Sequence, residues 1–367
     1  MTGGSVNDWW IYKGDGPATE RLDRLARHRP DWRVFDGEID EDYTVPALSG
    51  ADEERGAGYI ADAPEIDLVN TALLLRRPLL VTGVPGVGKS TLAHSIAEDL
   101  GLGPVLRWTV TSRTTLRDGL YRYDALRRLE DANLRRLSGP GRRRLDGSRL
   151  RRLEGARLRR IEREPGEEGA SGIGRYLQLG PLGTAFVPTA RPRVLLIDEI
   201  DKGDIDLPGD LLTVLDEGSF DIPELVRMSD ASPQVSVGTD DQSGPARITN
   251  GRVRCHAFPI VVLTSNGERE FPPAFLRRCI RLNLPLPNED KLHRILVRRI
   301  GHDAADAARA EGGVIDTFLK RRNTGELATD QLLNAVQLRL AGAWTAPEDL
   351  DRLAEATMHR LSGPDAQ

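Results

Sequence analysis

Three short stretches of this 367-residue chain carry residue types whose spacing suits phosphoryl chemistry. The first is Gly83-Val-Pro-Gly-Val-Gly-Lys89-Ser90, which fits the spacing G-x-x-x-x-G-K-[ST]. Glycines let backbone amides wrap a polyphosphate, a following helix adds partial positive charge, and the lysine reaches the terminal phosphates. Gly83, Pro85, Gly86, Val87, Gly88, Lys89, Ser90 and Thr91 are the candidate phosphate-binding residues. The Ser90 hydroxyl is also a candidate Mg2+ ligand. The second stretch, Val194-Leu-Leu-Ile-Asp198-Glu199, places two carboxylates at the end of an apolar run. That is the edge where parallel sheets bind ligands. Asp198 suits Mg2+ held through water, and Glu199 suits a base that orients and polarises an attacking water. The third is Leu263-Thr-Ser-Asn266, where the Asn266 amide could bond a γ-phosphate and the water. Each has an ordinary alternative: a glycine-rich turn, a solvated acidic turn, and an Asn opening the turn before Gly267.

These residues need a scaffold, and the hydrophobic pattern predicts one. Residues 79–83, 105–110, 193–197 and 259–265 read as buried strands. Residues 90–100, 114–123 and 207–215 read as helices between them. Segments 220–226 and 253–258 predict a hairpin with a long polar tip. Apolar strands alternating with helices indicate a parallel sheet covered on both faces. After Pro287 the pattern becomes helical only, at 288–300, 303–322, 327–342 and 347–361. The expected division is a polar, irregular N-terminal extension (1–55, with Trp9, Trp10 and Trp32 as anchors), an α/β domain (56–287) and a helical domain (288–367). Inserts fall at 126–165 and 220–258.

The insert at 126–165 repeats in eights, with Arg-Arg-Leu or Arg-Arg-Ile returning at 127, 135, 143, 151 and 159. From Arg127 to Arg163 there are 14 Arg and five acids, a local charge of +9. The net charge of −5 leaves about −14 on the rest. An eight-residue period drifts by about 80° per repeat around a helix, so one straight helix would have no apolar stripe. No aromatic residue lies between Ala125 and Gly174 to stack a base. The strict period reads as tandem duplication in a tolerant loop, ahead of a protein-facing surface and of a nucleic-acid arm. Two cysteines, Cys255 and Cys279, form neither a disulfide framework nor a zinc pattern. The first residues lack a signal-peptide pattern, and no apolar run is long enough to span a membrane. The expectation is a cytoplasmic protein.

The motifs together resemble an AAA+ ATPase of the MoxR-like group. The resemblance rests on LLVTGVPGVGKSTLA, LYRYD (120–124), LGPLG (179–183), VLLIDEIDK and VVLTSNGEREFPPAFLRRCIRL, and covers roughly residues 56–360. It implies a P-loop three-layer α/β sandwich with strand order 5-1-4-3-2 and a C-terminal all-helical lid. It implies ATP and Mg2+ as ligands, a homo-oligomeric ring (commonly a hexamer) and nucleotide between subunits. Family position sets Tyr59 and Ile60 beside the adenine. It also implies a finger acting in trans among Arg277 and Arg278, with Arg278 at the finger position and Arg277 where relatives carry Asp. At the lid position where the family often has a sensing arginine, this chain has Asp330; Arg339 lies about two turns later. A protein substrate or a von Willebrand A-domain partner is the expected target, with nucleic acid a lesser one and no membrane. The functional reading is Mg-dependent ATP hydrolysis coupled to remodelling of a partner. The alternatives are a nucleic-acid-directed or restriction-type motor and a slow nucleotide switch.

Overall fold

The apolar runs of the sequence become strands buried along their whole length. Val194 to Ile197 are fully buried, and each such side chain contributes about 1.5–3 kcal/mol. The computed structural model describes residues 9–17, 20–137, 172–241, 243–310, 312–322, 327–344, 346 and 349–359. Three helices, α1 (Arg21–Arg27), α2 (Gly50–Ala57) and α3 (Ala63–Leu75), precede β1 (Leu79–Thr82). Then come α4 (Lys89–Leu100), β2 (Leu106–Thr109), α5 (Leu116–Leu120), β3 (Tyr121–Tyr123) and α6 (Ala125–Leu137). After the octads follow β4 (Leu177–Leu179), α7 (Pro181–Ala185), β5 (Val194–Asp198) and α8 (Leu207–Glu217). The next group is β6 (Ser219–Asp221), α9 (Pro223–Val226), β7 (Gln234–Val237), β8 (Ala246–Thr249) and β9 (Arg252–Arg254). β10 (Ile260–Ser265), α10 (Pro273–Leu276) and β11 (Ile280–Asn283) finish the α/β part. The C-terminal helices are α11 (Glu289–Ile300), α12 (His302–Arg309), α13 (Val314–Arg322), α14 (Thr329–Leu340) and α15 (Leu350–Thr357).

The main sheet runs β11-β1-β10-β5-β2, all parallel. Counted along the chain, that is the expected order 5-1-4-3-2. Apolar side chains cover both faces: Ile66, Val69, Leu92 and Ile96 on one, Phe186, Leu211, Phe220 and Phe275 on the other. The strands end in register, with Thr82 opposite Ser265 and Thr109 opposite Asp198. One sheet edge therefore presents the loop after β1, the acidic end of β5 and the polar end of β10. The C-terminal helices bury a core of their own around Leu292, Phe318, Leu332 and Leu353.

Several local expectations change. Only 116–120 of the predicted 114–123 helix is helical. Tyr121–Tyr123 instead pairs antiparallel with Leu177–Leu179, so the LYRYD and LGPLG motifs form one stalk. Gly180 and Gly183 permit this, because a Cβ there would meet the 118–120 backbone carbonyls at 1.9–2.6 Å. The 220–258 insert is more than a hairpin. Phe220 does face Val253, but the expected polar tip folds into α9 and two further strands, making a sheet ordered β6-β9-β8-β7. Its alternating Val235, Val237, Ala246 and Ile248 are buried; the runs were too short to read as strands. The 303–322 helix is two helices, parted near Gly312 with φ +69°. The first 55 residues are not irregular throughout. Asn70 Oδ1 accepts the amides of Ile11 (2.7 Å) and Tyr12 (2.9 Å), and the Tyr12 hydroxyl lies 2.9 Å from Ser95 Oγ. Of the octads, only the beginning is described: α6 exposes Leu126, Leu129 and Leu134. The repeats from 138 onward lie outside the described residues.

Candidate active site

The shape of the loop after β1 follows from glycine. Gly83, Gly86 and Gly88 have φ of +147°, +78° and +98°, a region that side chains strain. At Gly86 space forbids a side chain as well, because a Cβ would lie 2.2 Å from the Ala328 Cβ. The loop opens α4, whose N-terminus has no side-chain cap. Its first amides and dipole are left for an anion. Lys89 Nζ donates to Gly83 O (2.7 Å) and Val84 O (3.0 Å), folded back over the loop it would share with phosphate. Burial lowers the Lys89 pKa, against the opposing pull of Asp201, Asp198 and Glu199.

Asp198 is the hub. Its Oδ1 accepts from Ser90 Oγ at 2.8 Å and from Thr264 Oγ1 at 2.7 Å; its Oδ2 accepts from Arg107 Nη2 at 2.7 Å. Burial alone would raise its pKa, but these three donors outweigh it and the carboxyl sits below its ordinary value. Glu199 follows in the left-handed region (φ 60°, ψ 47°), unusual for a non-glycine. Its amide is anchored on Thr264 Oγ1 at 2.9 Å. Its carboxylate pairs with Lys202 at 2.9 Å, with both side chains over a third exposed. Such a pair is worth little, so the Glu199 carboxylate is readily released. Asp201, 3% exposed, accepts the amides of Asn266 (2.9 Å) and Glu268 (3.1 Å) and so fixes the turn after β10. Asp198 and Asp201 are thus buried, while Glu199, Lys202 and Asp204 of the same turn reach solvent.

A cavity of about 690 Å³ joins these groups, a size that suits a nucleotide. Pro85 to Thr91, Tyr59, Ile60, Asp198, Glu199 and Asn266 all line it. Gly83 contributes its carbonyl to Lys89 just behind the loop. Lys291, Ile295, Arg299 and Ala328 to Asp330 close it from the helical side. Thr329 N donates to Gly86 O at 3.3 Å, which docks α14 directly on the loop. Tyr59 donates its hydroxyl to Glu65 Oε2 at 2.8 Å; burial, then Glu65, push its pKa well up.

The donor set fits Mg2+. Ser90 Oγ and Asp198 are hard oxygens already in contact, and Mg2+ takes one or two protein oxygens with water and phosphate. Among the described residues no group of three or more His, Cys, Asp or Glu could hold an ion unaided. Phosphate and water would supply the remaining ligands of a bound ion.

Residues 78–279, more than half of the chain, match the family of AAA domains (dynein-related subfamily). The chain belongs to the AAA family. No individual curated protein matches it. Within this AAA domain, Arg277 and Arg278 lie away from the cavity of their own chain. Arg278 Nε pairs with Asp216 Oδ2 at 2.8 Å, and Arg277 O accepts from Arg77 Nη1 at 3.2 Å. Asp330 does line the cavity of the AAA chain, whereas Arg339 does not; the lid cations there are Lys291 and Arg299. Thr264, Arg107 and Asp201 were not singled out from sequence. Thr264 left one faint trace, a polar residue next to last in an apolar strand. Arg107 and Asp201 are recognisable only from strand register and burial.

Proposed function

We propose that this AAA-family chain is a Mg-dependent ATPase of MoxR-like type whose hydrolysis does conformational work on a partner protein. The observation that carries the reading is the Ser90–Asp198–Thr264 cluster. It couples the phosphate loop to the acidic strand end within 2.8 Å, at the mouth of a nucleotide-sized cavity.

The roles follow from position. Loop amides from Gly83 to Gly88 and the Lys89 ammonium hold phosphate, while Tyr59 and Ile60 border the base. Ser90 and Asp198 would hold Mg2+, which when bound neutralises phosphate charge. Glu199, freed from Lys202, orients and polarises water. Asn266, fixed through Asp201, contacts the γ-phosphate. Arg278 serves the neighbouring subunit's nucleotide in a ring, commonly a hexamer. Its distance from its own cavity supports service in trans, with Arg277 beside it. The three-part division at about 55 and 287 belongs to the same reading, with the C-terminal helices as lid. So does a cytoplasmic location; among the described residues no helix is long and apolar enough to cross a membrane.

The target is tested by trapping. Glu199→Gln protein with ATP should retain a protein partner, of von Willebrand A-domain type on this reading. Turnover stimulated by DNA or RNA, with no retained protein, would point to a nucleic-acid motor instead.

A further inference from the structure

A second cavity, about 1060 Å³, lies away from the nucleotide site. It opens between the 39–57 segment, the end of α4 and the residues leading into β5. Its walls are apolar at Ile39, Val45, Leu48 and Leu102. Its charge is acidic. Glu41, Glu53 and Glu54 at the rim are exposed and in no ion pair among the described residues. Deeper in sits Glu98. It is only 9% exposed and makes no hydrogen bond or ion pair among the described residues. The reason is packing: α2 crosses α4 at Gly56, where a Cβ would come within 2.6 Å of Glu98 Cβ and His94 O. Burial, then neighbouring Asp99, push the Glu98 pKa up. Arg298 pulls the other way from a distance, and the Glu98 oxygens still open on the cavity, so a cation entering there meets a carboxylate with no donor of its own. The other carboxylate of the pair, Asp99, already has donors in Lys13 N, Asp15 N, Gly16 N and Arg21. Of the cavity's two arginines, Arg193 is neutralised by Asp241 at 2.7 Å, and the exposed Arg191 is outweighed by Glu41, Glu53, Glu54 and Glu98.

The complementary chemistry is in the same chain. From Arg142 to Arg163 there are ten arginines against three acids, spaced by Leu145, Leu150, Leu153, Leu158 and Ile161. We propose that this cavity is the docking site for the chain's own arginine-leucine octads, with guanidinium groups on Glu98 and the rim carboxylates and leucines on the apolar wall. Charged hydrogen bonds of this kind are the strong ones. Reach is sufficient. Residues 138–171 bridge α6 and Gly172, and extended chain covers about 3.3–3.6 Å per residue. A short relay of contacts connects the return point to the cavity wall. Gln178 in β4 donates to Thr239 O, Thr239 donates to Asp241, and Asp241 accepts from Tyr43 and Arg193. Tethering raises the effective concentration of such a ligand into the millimolar range, about the most a short flexible linker gives. The inference does not depend on the proposed ATPase activity.

Trypsin reads the proposal directly, since it cuts after arginine. The full chain, its Glu98→Gln variant and its Glu53→Gln/Glu54→Gln rim variant are digested at low salt. Cleavage within 142–163 is timed by mass spectrometry, and circular dichroism with a thermal melt certifies that each variant is folded. The expected result is slow cleavage in the parent, faster by about tenfold or more in either variant, the scale of a lost charged hydrogen bond. Added salt should release the parent in the same way. Equal cleavage in all three proteins, or protection that arises only when an oligonucleotide is added, would overturn the proposal.

Discussion

The Thr264 hydroxyl donates to Asp198 at 2.7 Å and accepts the Glu199 amide at 2.9 Å. One side chain on β10 thus sets the position of both neighbouring carboxylates on β5. Thr264→Val keeps the shape and removes both contacts. Stability should fall by about 1–3 kcal/mol, the cost of leaving a buried donor unmet. The kcat should fall roughly tenfold to a hundredfold with KM little changed, because the loss is in positioning. Thr264→Ser should restore most of both. Thermal melts and phosphate release check it.

The helical region packs directly on the glycine loop at Gly86, where a Cβ would lie 2.2 Å from the Ala328 Cβ; with these helices as a lid, this contact should couple loop to lid. In Gly86→Ala the backbone strain costs about 1–2 kcal/mol, and the new Cβ drives the lid off the loop. Titration with a fluorescent nucleotide should show affinity weakened roughly tenfold or more. Adding Ala328→Gly relieves the collision but not the strain, so the double variant should recover part of the loss.

On the proposed reading, a change at Arg278 should separate binding from hydrolysis. Its pair with Asp216 is exposed, so Arg278→Ala should barely change the melting temperature, a surface pair being worth about 0–1 kcal/mol. Nucleotide affinity should hold while turnover drops, by as much as about 10³–10⁵ for an arginine acting on the transition state. Mixing Arg278→Ala with Glu199→Gln subunits should recover activity, because some interfaces then combine an intact Glu199 with an intact Arg278. Without recovery in the mixture, action in trans is wrong.

Arg193 is fully buried and paired with Asp241. Asp241→Asn should cost about 3–5 kcal/mol, the usual penalty for stranding a buried charge. Burial would raise the Asp241 pKa, but the Arg193 contacts and hydroxyl donors bring it below its ordinary 3.8. The ionised form is therefore the one that stabilises the fold. Its contribution is complete above about pH 4 and is lost as pH falls through the lowered native value. Denaturant melts of parent and variant should differ steadily at neutral pH and converge only in strong acid.

How much of this was legible in the sequence depends on the range of each interaction. That the glycine-rich loop, Asp198, Glu199 and Asn266 meet around one cavity was legible, because local spacing sets them at the ends of neighbouring strands, and the sheet order followed from the family resemblance. Thr264 and Arg107 act across strand register, which a single sequence does not display. Asp201 looked like one more acid in an exposed turn until its burial was seen. Of the three expected tryptophan anchors only Trp10 is buried, while Trp9 and Trp32 are exposed; Ile11 and Tyr12 lack periodicity, so their packing against α3 and α4 was invisible. In the 220–258 insert, strands of three or four residues were too short to stand out from a polar loop.

The most direct test of the central claim is ATP turnover by Glu199→Gln beside nucleotide affinity on the same protein. Affinity should stay close to that of the parent, and phosphate release should fall by roughly 10²–10⁴, the scale of a lost general base. Equal turnover in the two proteins would contradict it.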